Sequence, residues 1–143
     1  MYKENFGYYI SIIYRHMQAR LNKELNEFGF GSGQYMYLIH ISHHKGITQK
    51  ELSRTLAIDK GTTAKAINKL VEQGYISAEP DKEDRRSSKL YLTKAGEEIA
   101  PKVRKILNET SKILKSGMNS SEEANTLLAL RKIAYNIIEN SGL

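Results

Sequence analysis

None of the 143 residues is a cysteine. That absence removes disulfides, thiolate nucleophiles, cysteine redox sensing and every cysteine-ligated metal site. No run approaches the ~20 apolar residues that a membrane-spanning helix needs. The opening stretch MYKENFGYYISIIYRHMQ does not read as a secretory leader, because Glu4 precedes its apolar part and Arg15 and His16 interrupt the remainder. The cytoplasm is the expected compartment. Internal repeats and low-complexity tracts are missing as well. So are enzyme signatures: there is no glycine-rich phosphate loop, no nucleophile motif and no carboxylate pair in an apolar setting. Neither a catalytic residue nor a cofactor is expected.

What is present suffices for one domain with a core, or two small lobes sharing one, at 40% hydrophobic content. A net charge of +6 at pH 7 favours a polyanionic partner, nucleic acid before an anionic membrane, although an ordinary basic protein has the same balance.

Apolar residues recur every three or four positions from Phe6 through Ile10, Ile13, Met17, Leu21 and Leu25 to Phe28, the stripe of a long amphipathic helix. GFGSG, Gly29 to Gly33, breaks it. A second helix, QYMYLIHISHH, is apolar on nearly all sides and belongs in the middle of the structure. In TQKELSRTLAI, Thr48 and Glu51 form a capping box, with Leu52, Leu56 and Ile58 on the buried side. After a short connection Asp59 caps KGTTAKAINKLVEQ, whose buried row is Ala66 (or Ala64), Ile67, Leu70 and Val71, and Gly74 ends it. Two short helices joined this tightly form a helix-turn-helix.

YISAEP and KLYLT have strand character, and Pro80 suits the end of an edge strand. The stretch between them, within EPDKEDRRSSKLY, is then the loop of a two-stranded hairpin. Four acids and four bases fall in those thirteen residues, with Asp81, Glu83 and Asp84 ahead of the arginines, so the far limb is basic. The last part holds a helix from Thr93 through Ile99, Val103, Ile106, Leu107, Ile113 and Leu114. Pro101 should either kink it or delay its regular part to about Ala100. Ser120 with Glu123 reads as a second capping box before a final helix whose apolar stripe is too broad for one neighbour to cover. The fold class is therefore mainly α with a small β-hairpin wing. Helices in 1–30 and 94–143 flank a winged helix-turn-helix lobe at 31–93, and a second copy of the chain is expected to cover the flanking apolar surface.

The segment from Asp59 to Glu98, with its recognition helix, glycine, strand, Asp-Arg-Arg wing and Leu-Thr entry into the next helix, resembles the MarR family of bacterial and archaeal transcriptional regulators. The likeness extends over essentially the whole chain in length and element order. It implies a homodimer whose winged helices face one DNA duplex, and in many members release by small phenolic or anionic molecules. Sequence-specific regulation, usually repression, is the expected function; alternatives are a protein-interaction or effector-binding winged helix, or a non-specific architectural DNA binder.

A recognition helix presents its first residues to base edges. Here these are Lys60, Gly61, Thr62, Thr63 and Lys65, with Lys69 further along, although both threonines could simply cap the helix. Ser32, Thr48 and Gln49 are candidate phosphate contacts at helix starts, where capping explains them equally well. By resemblance Arg86 is the wing tip that enters the minor groove and Asp84 orients it by a charge-assisted bond. Arg85, Lys82, Ser87, Ser88 and Lys89 would face phosphates. The resemblance also implies an effector pocket, which Arg15, His16, Tyr35, Tyr37 and His40 could line. His40, His43 and His44 have helical spacing that could seat a metal, but no further ligand is aimed at them, and ordinary surface or interface histidines are preferred.

Overall fold

A computed structural model describes residues 3–84 and 86–142 of the chain. The N-terminal apolar stripe forms α1 (Phe6–Leu25), started by Asn5, whose Oδ1 accepts the Tyr8 backbone N–H at 3.0 Å. Only the C-terminal end of the stripe, Leu21 and Leu25, is buried. A 3-10 turn, Asn26–Phe28, comes next and stops at Gly29, whose φ of +79° is left-handed.

The middle helix α2 (Tyr35–His43) buries Tyr37, Leu38 and Ile41. The helix-turn-helix consists of α3 (Gln49–Leu56) and α4 (Lys60–Glu72). Its turn is tight: Ala57 adopts φ +53°, the one positive φ of a non-glycine residue among those described. Leu52 packs from α3, and Thr63, Ala66, Ile67 and Leu70 from α4. Val71, expected in that row, is instead 39% exposed. Gly74 ends the helix with φ +81°.

The wing differs from the two-stranded expectation. A short strand, β1 (Ile47–Thr48), joins β2 (Ile76–Pro80) and β3 (Ser88–Leu92) in an antiparallel sheet of order β1-β3-β2. Thr48 lies opposite Lys89, and Lys89 in turn opposite Glu79. Ile76 and Leu90 seal the sheet against the core.

From β3 the chain enters α5 (Lys94–Leu114), which Thr93 caps by accepting the Gly96 N–H at 3.1 Å. This helix runs from Lys94 through Pro101 without a later start. Gly96 is required by its surroundings, since a Cβ there would stand 2.1 Å from the Tyr75 carbonyl oxygen. Two compact units divide the chain within α5, one ending at Ile106 and one beginning at Leu107. The first contains the core just described, with Ala100 and Val103 contributed by α5. The second holds α6 (Ser120–Glu139), which has no buried residue. Its capping box is formed by Asn119 and Glu122, one position ahead of the expected Ser120 and Glu123. Among the described residues no helix is long and apolar enough to cross a membrane.

Candidate nucleic-acid interface

Two helix starts and the wing form a cationic surface on the first unit. The capping box of α3 is complete: Thr48 Oγ1 accepts the Glu51 N–H at 3.1 Å, and the Glu51 carboxylate accepts the Thr48 N–H at 3.0 Å. This places Gln49 and Lys50 on the first turn. At α4, Asp59 Oδ1 accepts the Thr62 N–H at 2.8 Å and Oδ2 accepts the Thr62 hydroxyl at 2.7 Å. These bonds, the backbone N–H of Thr62 foremost and then its hydroxyl, hold the Asp59 carboxyl below the usual carboxylate range. With its hydroxyl proton donated in a hydrogen bond to Asp59, the exposed Thr62 keeps oxygen lone pairs for another donor. A Cβ on Gly61 would sit 3.3 Å from Asp59 Oδ1, so glycine leaves this cap uncrowded. Lys60, Gly61, Thr62, Lys65 and Lys69 are all exposed, as are Asp84, Arg86 and Lys89.

The acids of the wing fold the loop. Asp81 Oδ1 accepts the Glu83 N–H and Asp84 Oδ1 accepts the Arg86 N–H, each at 3.0 Å. Ser87 closes the turn by accepting from the Asp81 N–H at 3.1 Å and donating to the Asp84 carbonyl at 3.0 Å. Asp84 therefore orients Arg86 through the main chain, and among the described residues no ion pair joins it to the guanidinium. Arg85 lies outside the described residues. An open cleft of about 400 Å³ between these elements is lined by Gln49, Lys50, Lys60, Asp84, Arg86, Ser87 and Ser88. Lys50 is not among the residues expected from the sequence, although its place beside Gln49 on the first turn of α3 is a usable signal. Ser32 is not part of the cleft, and its N–H is bound to Asn22 Oδ1 at 2.8 Å.

Two expected site residues are corrected. Thr63 is fully buried, with its hydroxyl 3.3 Å from the Tyr37 hydroxyl and 3.4 Å from Ser53 Oγ, and cannot present a side chain to DNA. It stands three, four and seven positions before Ala66, Ile67 and Leu70, on the buried row itself. Tyr37 is 1% exposed and belongs to the core, not to an effector pocket.

Of the other expected effector residues, Arg15 donates from Nε to the Ser11 carbonyl at 3.3 Å, and His16 is exposed on α1. Tyr35 is half-buried, and burial followed by the nearby Tyr14 pushes its pKa up. His40 Nδ1 lies 3.1 Å from the Met36 carbonyl. A cavity of about 500 Å³ opens elsewhere, lined by Ser42, His43, Lys45, Tyr91, Glu97 and Arg104 over Ile41, Leu92 and Ala100. None of the five expected effector residues reaches it. Among the described residues no three His, Cys, Asp or Glu side chains are grouped to hold a metal.

A helix-turn-helix followed by an antiparallel wing that lies beside both helix starts defines a winged helix-turn-helix protein. The family description "MarR family" matches residues 28–87. The uncharacterized HTH-type transcriptional regulator YybA of Bacillus subtilis is 31% identical over 128 residues, covering 90% of this chain and 85% of YybA. A crystal structure of a MarR transcriptional regulator from Methanosarcina mazei Go1 shares 38% identity at a TM-score of 0.86, covering 96% of this chain and 99% of that one. The chain belongs to the MarR family of transcriptional regulators. A MarR family regulator from Listeria monocytogenes, solved in complex with a 26-mer DNA, is 26% identical with a TM-score of 0.90, over 96% of this chain and 92% of its own.

Proposed function

We propose that this protein is a dimeric, sequence-specific DNA-binding repressor that a small phenolic or anionic molecule releases. The observation that carries the reading is the cleft in which the start of α3, the start of α4 and the wing converge with Gln49, Lys50, Lys60 and Arg86. In this reading α4 enters the major groove, where Thr62 and Lys65 meet base edges and Gly61 permits close approach. Lys60 and Lys69 pair with phosphates, as do Thr48, Gln49, Ser87 and Lys89 at the rim. Arg86, held up by the Asp84 turn, enters the adjacent minor groove. The Listeria relative bound to DNA supports this use of the fold.

The dimer reading is supported by apolar side chains that each unit leaves in solvent. Phe6, Ile10, Ile13 and Tyr14 of α1 are exposed, and so are Leu127, Leu130, Ile137 and Ile138 of α6. Helices α1, α5 and α6 would provide the twofold contact. For the effector, Arg15, His16, Tyr35 and His40 remain the candidates, with Arg15 engaging an anion and Tyr35 held neutral as a donor.

The test is a footprint of the purified protein on DNA upstream of its own gene, paired with selection from genomic fragments. A symmetric protected site with half-sites about one helical turn (~10 bp) apart, or a multiple of it, is expected. Diffuse protection that fades equally on all sequences as salt rises would replace this reading with non-specific binding.

A further inference from the structure

Tyr37 and Thr63, expected in two different sites, are hydrogen-bonded to each other inside the core. We infer that the buried hydroxyl chain Tyr37–Thr63–Ser53 is a positioning device that sets where recognition helix α4 begins, and so sets sequence discrimination. The inference rests on the DNA-binding reading above.

The direction of the chain is fixed by counting protons. The Ser53 hydroxyl donates to the Ile58 carbonyl at 2.5 Å, which uses its only proton. Thr63 Oγ1 must then donate to Ser53 Oγ, at 3.4 Å, and the Tyr37 hydroxyl must donate to Thr63 Oγ1, at 3.3 Å. The chain thus runs one way, from α2 through the first turn of α4 to the turn between α3 and α4. At its end Ser53 holds Ile58 twice, since its carbonyl also accepts the Ile58 N–H at 3.0 Å. The three side chains are 1%, 0% and 6% exposed in the order Tyr37, Thr63, Ser53, so water does not replace a lost partner freely.

Thr63 adjoins Thr62, and its tether fixes the first turn of α4 both along and about the helix axis. Lys60 and Lys69 reach phosphates on long flexible stems and tolerate a small displacement of that turn. Thr62 has a short side chain, so its contact with a base edge does not survive the same displacement. Breaking the chain should therefore lower discrimination more than overall affinity.

The experiment compares binding to two duplexes at one salt concentration: one that the wild type enriches from a random pool, and a scrambled duplex of equal composition. Tyr37→Phe and Thr63→Val each remove one hydroxyl with little change of shape. Both should reduce the ratio of the two affinities by about three- to tenfold, with affinity for the scrambled duplex held within about twofold. Thr63→Ser keeps the hydroxyl and should keep the ratio, and the double variant should lose no more than one single variant. A wild-type ratio in Tyr37→Phe and Thr63→Val, with only the melting temperature lowered, overturns the inference. Equal losses in Thr63→Ser and Thr63→Val overturn it too, since the methyl packing would then be responsible. Should Thr63→Val fail to fold, Tyr37→Phe decides alone. A wild type that enriches no sequence defeats the DNA-binding reading and this one together, whereas a discriminating wild type with unaffected variants defeats this one only.

Discussion

Arg86 stands at the exposed end of a loop whose neighbouring acid is occupied elsewhere. The Asp84 carboxylate accepts the Arg86 backbone N–H, which shapes the turn and leaves the guanidinium available to an outside anion. In the narrow, strongly negative groove of an A·T-rich duplex such a group is worth more than on an open phosphate. Arg86→Ala should thus weaken binding to an enriched duplex by about tenfold or more and binding to an unrelated duplex distinctly less. Equal losses on both, measured by titration at fixed salt, would reduce Arg86 to a phosphate contact.

At the level of elements, the wing and α5 meet where Gly96 touches the Tyr75 carbonyl. Gly96→Ala forces the helix start away from the strand and should destabilise the protein by about 1–3 kcal/mol. Chemical denaturation measures this, and an unchanged midpoint would show that α5 can shift freely there. The caps are legible in the sequence because they depend on residues three apart: Thr48 with Glu51, Asp59 at α4, and Gly74 behind it all stand where expected. The same local rule cannot choose between Asn119–Glu122 and Ser120–Glu123, since both pairs have the required spacing. β1 is not legible at all, because two residues show no alternation and its pairing with β3 lies some forty positions away. For the site, the exposed lysines and the wing can be read. Thr63 cannot be separated from Thr62 by residue type, only by noticing that it precedes the Ala66, Ile67 and Leu70 row.

On the scale of the whole molecule, apolar surface outside the lobe is the feature to be explained. Leu127 and Ile137 of α6 are 61% and 67% exposed in the single chain. If a second copy covers them, Leu127→Lys and Ile137→Lys should each raise the dissociation constant of the dimer by about tenfold or more, followed by sedimentation across a dilution series. Unchanged sedimentation in both would remove α6 from the interface. Thr48 has a different consequence, because it caps α3 and also lies opposite Lys89 on β3. The helix pair and the wing are thereby fastened to one another, like the jaws of a caliper with a set opening. On the proposed DNA-binding reading, this arrangement gauges a duplex before it reads one. Base pairs that it never touches, but that widen or narrow the groove between its jaws, should then change its affinity as surely as those it contacts.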